Sequence, residues 1–139
     1  MKYRRFQSKV VVRIDKGEEI VTSLSHLCKK LNIKSGTIIG IGATNKITIG
    51  LMNTETKKYQ SKELTGDHEI TPLVGNITTK DGEVYLHLHI TVCNDEHQAL
   101  GGHLTSAVVS ATFEGVIDII DGEITREFDT SASLNLLKL

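Results

Sequence analysis

The chain has 139 residues, of which 39% are hydrophobic and 24% charged, and its formal net charge is −1. This composition is typical of a globular protein, and we expect one domain over residues 1–139. No apolar run approaches the roughly 20 residues that span a bilayer, and the basic N-terminus lacks the apolar region of a signal peptide. We therefore expect no membrane segment and a cytoplasmic location. The near-neutral charge disfavours strong autonomous nucleic-acid binding, because phosphate neutralisation drives that affinity.

The first part of the chain predicts a strand and one amphipathic helix. Residues 3–14 have a strand pattern that includes a run of three valines. Asp15 stands three residues before Glu18, which is the spacing of a capping box at a helix N-terminus. Apolar residues then recur at helical spacing and predict a helix over roughly 17–31. The residues of this predicted apolar face are Ile20, Leu24, Leu27, Cys28 and Leu31.

The remainder of the chain predicts β-strands. Residues 37–43 contain the sequence GIGA, which we interpret as a close approach between strands. A phosphate-binding loop would need a helix directly behind it, and a strand pattern follows instead. The further strand segments are 46–52, 57–64, 68–78, 83–93, 106–120, 123–129 and 133–139.

Two details of the β region carry further predictions. Asp121-Gly122 predicts a hairpin between segments 106–120 and 123–129. One face of segment 106–120 is predicted to be apolar through Val109, Ala111, Phe113, Ile117 and Ile119. The fold class that follows is α+β, an antiparallel-rich sheet or sandwich with one principal helix packed against it.

Four of the six histidines lie within residues 87–104. Strand periodicity makes His87 and His89 neighbours on the less apolar face, roughly 6.5–7 Å apart at Cα. His103 follows a pair of glycines at the end of a predicted loop, where the backbone can pass close to another strand. Three imidazoles meeting at one point would form an open site that suits zinc, or another divalent transition metal such as iron, nickel or copper.

Other roles for the histidines remain open at this point. They could instead form hydrogen bonds with carboxylates or across a subunit interface. His97 lies in a polar loop, where we expect it to be solvated. Asp67, Glu69 and Glu114 are candidate bases or partners of the histidines, although no sequence feature brings them there.

A short basic cluster near the start of the chain is the one candidate for contact with DNA. Lys2, Arg4 and Arg5 lie within four positions of each other. Such a cluster could neutralise phosphates if several copies came together in an oligomer.

Several motifs resemble the Plants and Prokaryotes Conserved (PPC) domain family. They are HLHITV followed by GGHL, an early GEEIVTSLSHLCKKLNIKSGTIIGIGAT, LTGDHEITPLVGNI with His68 where phenylalanine is common, and the closing ATFEGVIDII and TREFDTSASLNLLKL. Together they cover nearly the whole chain in the family's order. The resemblance implies a homotrimeric domain with an antiparallel sheet, and a metal near the subunit boundary held by His87, His89 and His103.

The resemblance also implies a functional class. Prokaryotic members are stand-alone domains commonly labelled DNA-binding, whereas plant members follow an AT-hook. That hook needs an Arg-Gly-Arg-Pro core, and the only proline here, Pro72, follows Thr71. We therefore expect a homotrimeric binding module that contacts DNA or another protein, without a recognisable catalytic set. The alternative is a metal-dependent enzyme of hydrolytic type, or a small-ligand sensor, that uses the open three-histidine site.

Overall fold

The computed structural model describes all 139 residues and contains one helix and eight strands. The helix has 11 residues, so it is too short to span a bilayer. The elements are β1 (Lys2–Phe6), β2 (Lys9–Asp15), α1 (Ile20–Lys30), β3 (Gly36–Met52), β4 (Tyr59–Lys80), β5 (Glu83–Cys93), β6 (Ala99–Ile119), β7 (Thr125–Asp129) and β8 (Leu134–Lys138).

The strands form one hydrogen-bonded sheet that is almost entirely antiparallel. The single parallel contact joins Thr79 of β4 to Thr125 of β7. β6 pairs with β2, β3 and β5, and β4 pairs with β3 and β5. The pairing path β3–β4–β5–β6 therefore closes on itself, and the sheet curls around its apolar face. The predicted α+β class with one principal helix is confirmed.

The helix begins later than predicted because a different residue caps it. Glu19 is the N-cap, and its carboxylate accepts hydrogen bonds from the backbone N–H groups of Val21 and Thr22 at 2.9 and 2.7 Å. The predicted capping role of Asp15 is wrong. Glu18 does accept the backbone N–H of Asp15 at 2.8 Å, but this contact belongs to the turn before the helix. The N-cap of a helix is the residue whose side chain accepts the free N–H groups of the first turn, and here that residue is Glu19.

The core lies between α1 and the inner face of the curled sheet. It is one cluster of 23 buried apolar residues, and the predicted helix face supplies four of them. Phe113 of β6 is completely buried, whereas Ala111 is exposed, so the predicted apolar face of this segment is only partly correct. The β3–β6 register shifts between Gly42 and Thr44, which changes the alternation near Ala111.

The glycine-rich segment lies in a strand, as predicted. A Cβ on Gly40 would stand 2.3 Å from the Phe113 ring, and one on Gly42 would stand 2.2 Å from the Thr112 backbone oxygen. No helix follows this segment. The predicted close approach is therefore confirmed.

Other strand boundaries differ from the prediction. Segments 37–43 and 46–52 form one strand, β3, and segments 57–64 and 68–78 form another, β4. β-Bulges permit this continuity. The hairpin predicted at Asp121-Gly122 is wrong, because β7 pairs with β8 and β4 and not with β6.

The outer face of the sheet carries an exposed row of β-branched residues. Val11 lies opposite Val116, Val116 opposite Ile39, and Ile39 opposite Val74. These four side chains, which we call the outer row, are 37–56% exposed. Val74 in turn lies opposite His89, so the row ends at the histidines.

Candidate metal centre

β5 separates its side chains between two faces of the sheet. Leu88 and Ile90 are buried in the core, whereas His89 is exposed and His87 half-buried on the outer face. This is the predicted alternation of a strand with one buried face. On the neighbouring strand β4, Asn76 lies opposite His87 and Val74 lies opposite His89.

His103 reaches the pair through a strand and not, as predicted, through a loop. β6 begins at Ala99, so both glycines before His103 are part of the sheet. A Cβ on Gly101 would stand 2.6 Å from the backbone oxygen of Ile90, and one on Gly102 2.8 Å from that of Gly50. The predicted reason for the glycines, close backbone approach, is therefore correct. His103 consequently lies directly opposite His89.

The three imidazoles form a compact triangle. Ring centroids are 5.1 Å apart for His87–His89, 5.3 Å for His87–His103 and 5.6 Å for His89–His103. One ring nitrogen of each lies within 4.8 Å of the others. None of the three rings forms a hydrogen bond to a protein group, unlike His68, whose Nδ1 is 2.7 Å from the Gly66 oxygen. Their nitrogens are therefore free to bind a ligand.

The surroundings of His87 and His103 favour the neutral form of the imidazole. Burial lowers the pKa of His87 below its usual value, and the positive charges of Arg126, His103 and His89 lower it further. Burial and His89 together lower the pKa of His103. A neutral imidazole is the form that binds metal ions. The lowered pKa values of His87 and His103 and the close approach of the three ring nitrogens both favour metal binding.

The triangle lines a cavity of about 830 Å³. Tyr59, Asn76, Tyr85 and Arg126 supply polar groups, and the Tyr59 ring lies edge-on to His103 at 6.2 Å. Three leucines of β8 form much of the apolar lining, namely Leu134, Leu136 and Leu137. A cavity of this size and mixed character is typical of sites for small ligands.

The other candidate residues lie elsewhere. His68 is buried, and together with Glu69 and His97 it lines a separate cavity. His97 is exposed, as predicted. Glu114 lies opposite Arg13 on the outer face, far along β6 from His103. Asp67 also lines the separate cavity and not that of the histidines.

The three residues of the basic cluster lie on β1 but do not share one face of the sheet. Lys2, Arg4 and Arg5 are all exposed on β1, and none forms an ion pair. Because strand side chains alternate, Lys2 and Arg4 project from the face opposite to that of Arg5. Only two of the three candidates therefore share one surface.

Sequence reasoning missed the contribution of the C-terminal strands to the site. Arg126 lies within EITREFD, which has only a strand pattern, and Tyr59 lies far from the histidines in the chain. No local signal distinguishes either residue. The position of Arg126 depends on the packing of β7 beside β4, through a contact between residues 46 positions apart. Tyr59 is placed by the pairing of β4 with β3, where it lies opposite Met52.

Comparison with known proteins places these features in a family context. The model of the Plants and Prokaryotes Conserved domain, abbreviated PCC or PPC, matches residues 1–121. Comparison with curated protein sequences finds no significant match. The matched residues include the three histidines, whereas β7 and β8 lie beyond them.

Several solved structures are similar over nearly the full chain. A Bacteroides thetaiotaomicron protein described as a "putative DNA binding protein" is 38% identical, with 99% of this chain and 96% of that chain covered and a TM-score of 0.96. An Archaeoglobus fulgidus protein described as metal-containing is 31% identical, with both chains fully covered and a TM-score of 0.87. A Pyrococcus horikoshii protein described as plant- and prokaryote-conserved is 31% identical, with 99% and 94% covered and a TM-score of 0.86.

Proposed function

Because the chain belongs to the Plants and Prokaryotes Conserved domain family, we propose that it acts as a homotrimeric binding module with a divalent metal centre formed by His87, His89 and His103. DNA is its proposed partner. We treat residues 1–139 as one domain, since a single core cluster joins α1 to β2–β6. The observation that carries the proposal is the convergence of three imidazole nitrogens within 4.8 Å.

The residues present fit a zinc ion or a similar divalent transition metal. Tetrahedral binding at 2.0–2.1 Å from each nitrogen requires nitrogen–nitrogen separations of about 3.3 Å, so modest side-chain rotations would complete the site. Imidazole ligands suit zinc, copper, nickel and iron. A similar protein from Archaeoglobus fulgidus is described as metal-containing, which supports the same reading for this chain.

Metal analysis of untagged protein tests the centre. We expect about one zinc or other transition-metal ion per chain in the wild type, and less than a tenth of that in the His87→Gln/His89→Gln variant, because a lone imidazole cannot retain the ion. His97→Gln, which changes an exposed histidine outside the triangle, is the matched control. Equal metal content in the wild type and the double variant would contradict the proposal.

The outer row supports self-assembly. Exposed apolar surfaces of this kind commonly mark protein–protein interfaces, and the row ends at His89. A second copy seated on it would lie next to the metal centre. A homotrimer with the histidines near the subunit boundary accounts for both features.

DNA binding would use the unpaired cations of β1. Lys2 and Arg4 share the outer face, and a trimer would multiply them into a composite surface. The description of the Bacteroides thetaiotaomicron protein supports this reading. Affinity for duplex DNA should fall steeply with salt, and Lys2→Gln/Arg4→Gln should weaken it. Lys57→Gln/Lys58→Gln, two exposed lysines elsewhere, is the control. The absence of any salt-dependent retardation of duplex DNA would reject this part of the proposal.

A second candidate function is supported by the cavity beside the histidines. A three-ligand site leaves a coordination position open, and a zinc ion bound there would supply Lewis-acid chemistry suited to hydrolysis. The cavity of about 830 Å³ also suits a small-ligand sensor. Glu69 and Glu114 lie outside it, so neither supports a role as catalytic base. Turnover of simple esters that is lost in His87→Gln/His89→Gln would favour the enzyme over the sensor.

A further inference from the structure

Arg126 is a buried cation without an acidic partner. Its side chain is only 8% exposed, and it forms no ion pair with any carboxylate of the chain. Its Nε donates to Thr78 Oγ1 at 2.9 Å and its Nη1 to the Asn135 backbone oxygen at 2.8 Å. Nη2 has no partner. A buried charge is costly unless it is paired and fully hydrogen-bonded, so this guanidinium is suited to an anion from outside the chain.

The guanidinium lies beside the histidine triangle. Its Cζ is 5.0 Å from the centre of the Tyr85 ring, and Tyr85 precedes His87 by two residues on the same face of β5, a spacing of roughly 6.6 Å. Arg126 lines the same cavity as the three histidines. A metal ion at the triangle would place two positive centres in this cavity. An anion between them would offset both charges.

The part of the cavity lining next to Arg126 is apolar, because β8 pairs with β7 and Leu137 lies opposite Arg126. Leu134, Leu136 and Leu137 of β8 are 38–41% exposed and border the cavity together with Leu51. Burial of these exposed leucine side chains against a hydrocarbon chain is favourable, because it removes apolar surface from water. The cavity therefore offers a cation with an adjoining hydrocarbon surface.

We propose that this cavity binds a small amphipathic carboxylate. The carboxylate pairs with the free N–H groups of Arg126, and the hydrocarbon chain lies against the leucines of β8. The guanidinium has five N–H donors, of which two are used within the chain. The remaining three, on Nη1 and Nη2, match the two oxygens of a carboxylate. The inference deepens the proposed metal-centred function, because the ligand occupies the same cavity.

Isothermal titration calorimetry with hexanoate, acetate and hexanamide tests the proposal on the untagged protein, both zinc-loaded and zinc-free. Hexanoate should bind at least about tenfold more tightly than hexanamide, because the charge-assisted pair is lost in the amide. It should also bind at least about tenfold more tightly than acetate, because four methylene groups are added. Equal affinity of hexanoate and hexanamide would overturn the proposal.

Variants assign the binding to Arg126. We expect Arg126→Gln to lower hexanoate affinity at least about tenfold and Arg126→Lys to lower it less, because lysine keeps the charge but not the planar fork. Arg13→Gln, at an exposed arginine on β2, should change nothing. If Arg126→Gln does not fold, Leu137→Ala supplies the test, since it should reduce the preference for hexanoate over acetate. An unchanged preference would then overturn the proposal.

The two proposals fail in different ways. Normal zinc content without preferential hexanoate binding rejects the carboxylate site and leaves the metal centre standing. Hexanoate binding that depends on Arg126, in a protein that retains no metal, rejects the metal centre and supports the carboxylate site. If the wild type binds no hexanoate and Arg126→Gln changes the oligomer mass, the anion is a carboxylate of a partner subunit, and the small-ligand proposal is overturned.

Discussion

At the scale of residues, the site depends on His87 and His103, whose surroundings favour the neutral form of the imidazole. The pKa of His87 and of His103 is lowered below the ordinary value of 6.5. The unfolded chain therefore binds more protons than the folded chain as the pH falls through this value. We predict that metal-free protein loses stability from about pH 6.5 downward, until the pH passes the lowered pKa values. Urea denaturation between pH 5 and 8 measures this loss.

Substitution of His87 and His103 should reduce the dependence of stability on pH. In His87→Gln/His103→Gln, the stability lost between neutral and acidic pH should shrink, because the titrating groups are gone. His97→Gln keeps both groups, and its profile should follow that of the wild type. A double variant with the full wild-type slope would show that the pH dependence arises elsewhere.

At the scale of elements, β6 needs its glycine pair to lie between β3 and β5. We predict that Gly102→Ala lowers the free energy of unfolding by about 1–3 kcal/mol, because the new Cβ meets the Gly50 backbone. It should also weaken zinc binding by about tenfold or more, since His103 is displaced. Denaturation and competition with a chelator measure the two effects. Ala99→Val, at an exposed position of the same strand, should leave zinc affinity unchanged.

The helix start provides a second prediction at this scale. The Glu19 carboxylate accepts hydrogen bonds from backbone N–H groups of α1. It also accepts one from the backbone N–H of Ala107 on β6, at 3.0 Å. We predict that Glu19→Ala lowers the free energy of unfolding by about 1–2 kcal/mol, because these donors lose their acceptor. Glu96→Ala in an exposed turn is the control. A loss in Glu19→Ala no larger than that in Glu96→Ala would contradict the capping role.

At the scale of the whole molecule, the outer row should control assembly. We predict that the wild type sediments as a trimer, and that Ile39→Lys/Val74→Lys shifts it to monomer, because charges would be buried in an apolar interface. Phe128→Lys, at a side chain that is 60% exposed on β7, should remain trimeric. A monomeric wild type, or a trimeric double variant with normal circular dichroism, would exclude this interface.

Local pattern in the sequence was enough for the fold class and for two of the three histidines. The period-two alternation of β5 places His87 and His89 on one face whatever the rest of the chain does. The helix is equally evident from its apolar spacing, although its start is not. Asp15-x-x-Glu18 has the correct spacing for a cap, but Glu19 is the residue whose carboxylate reaches the free N–H groups.

Only the tertiary structure decided which distant residues complete the site. The position of His103 opposite His89 depends on strand register, and Arg126 enters the cavity because β7 contacts β4. The hairpin expected at Asp121-Gly122 did not form, since β7 pairs with other strands. The sequence determines periodicity, which is a property of neighbouring residues. Register and strand order depend on contacts between residues far apart in the chain, and no local pattern encodes them.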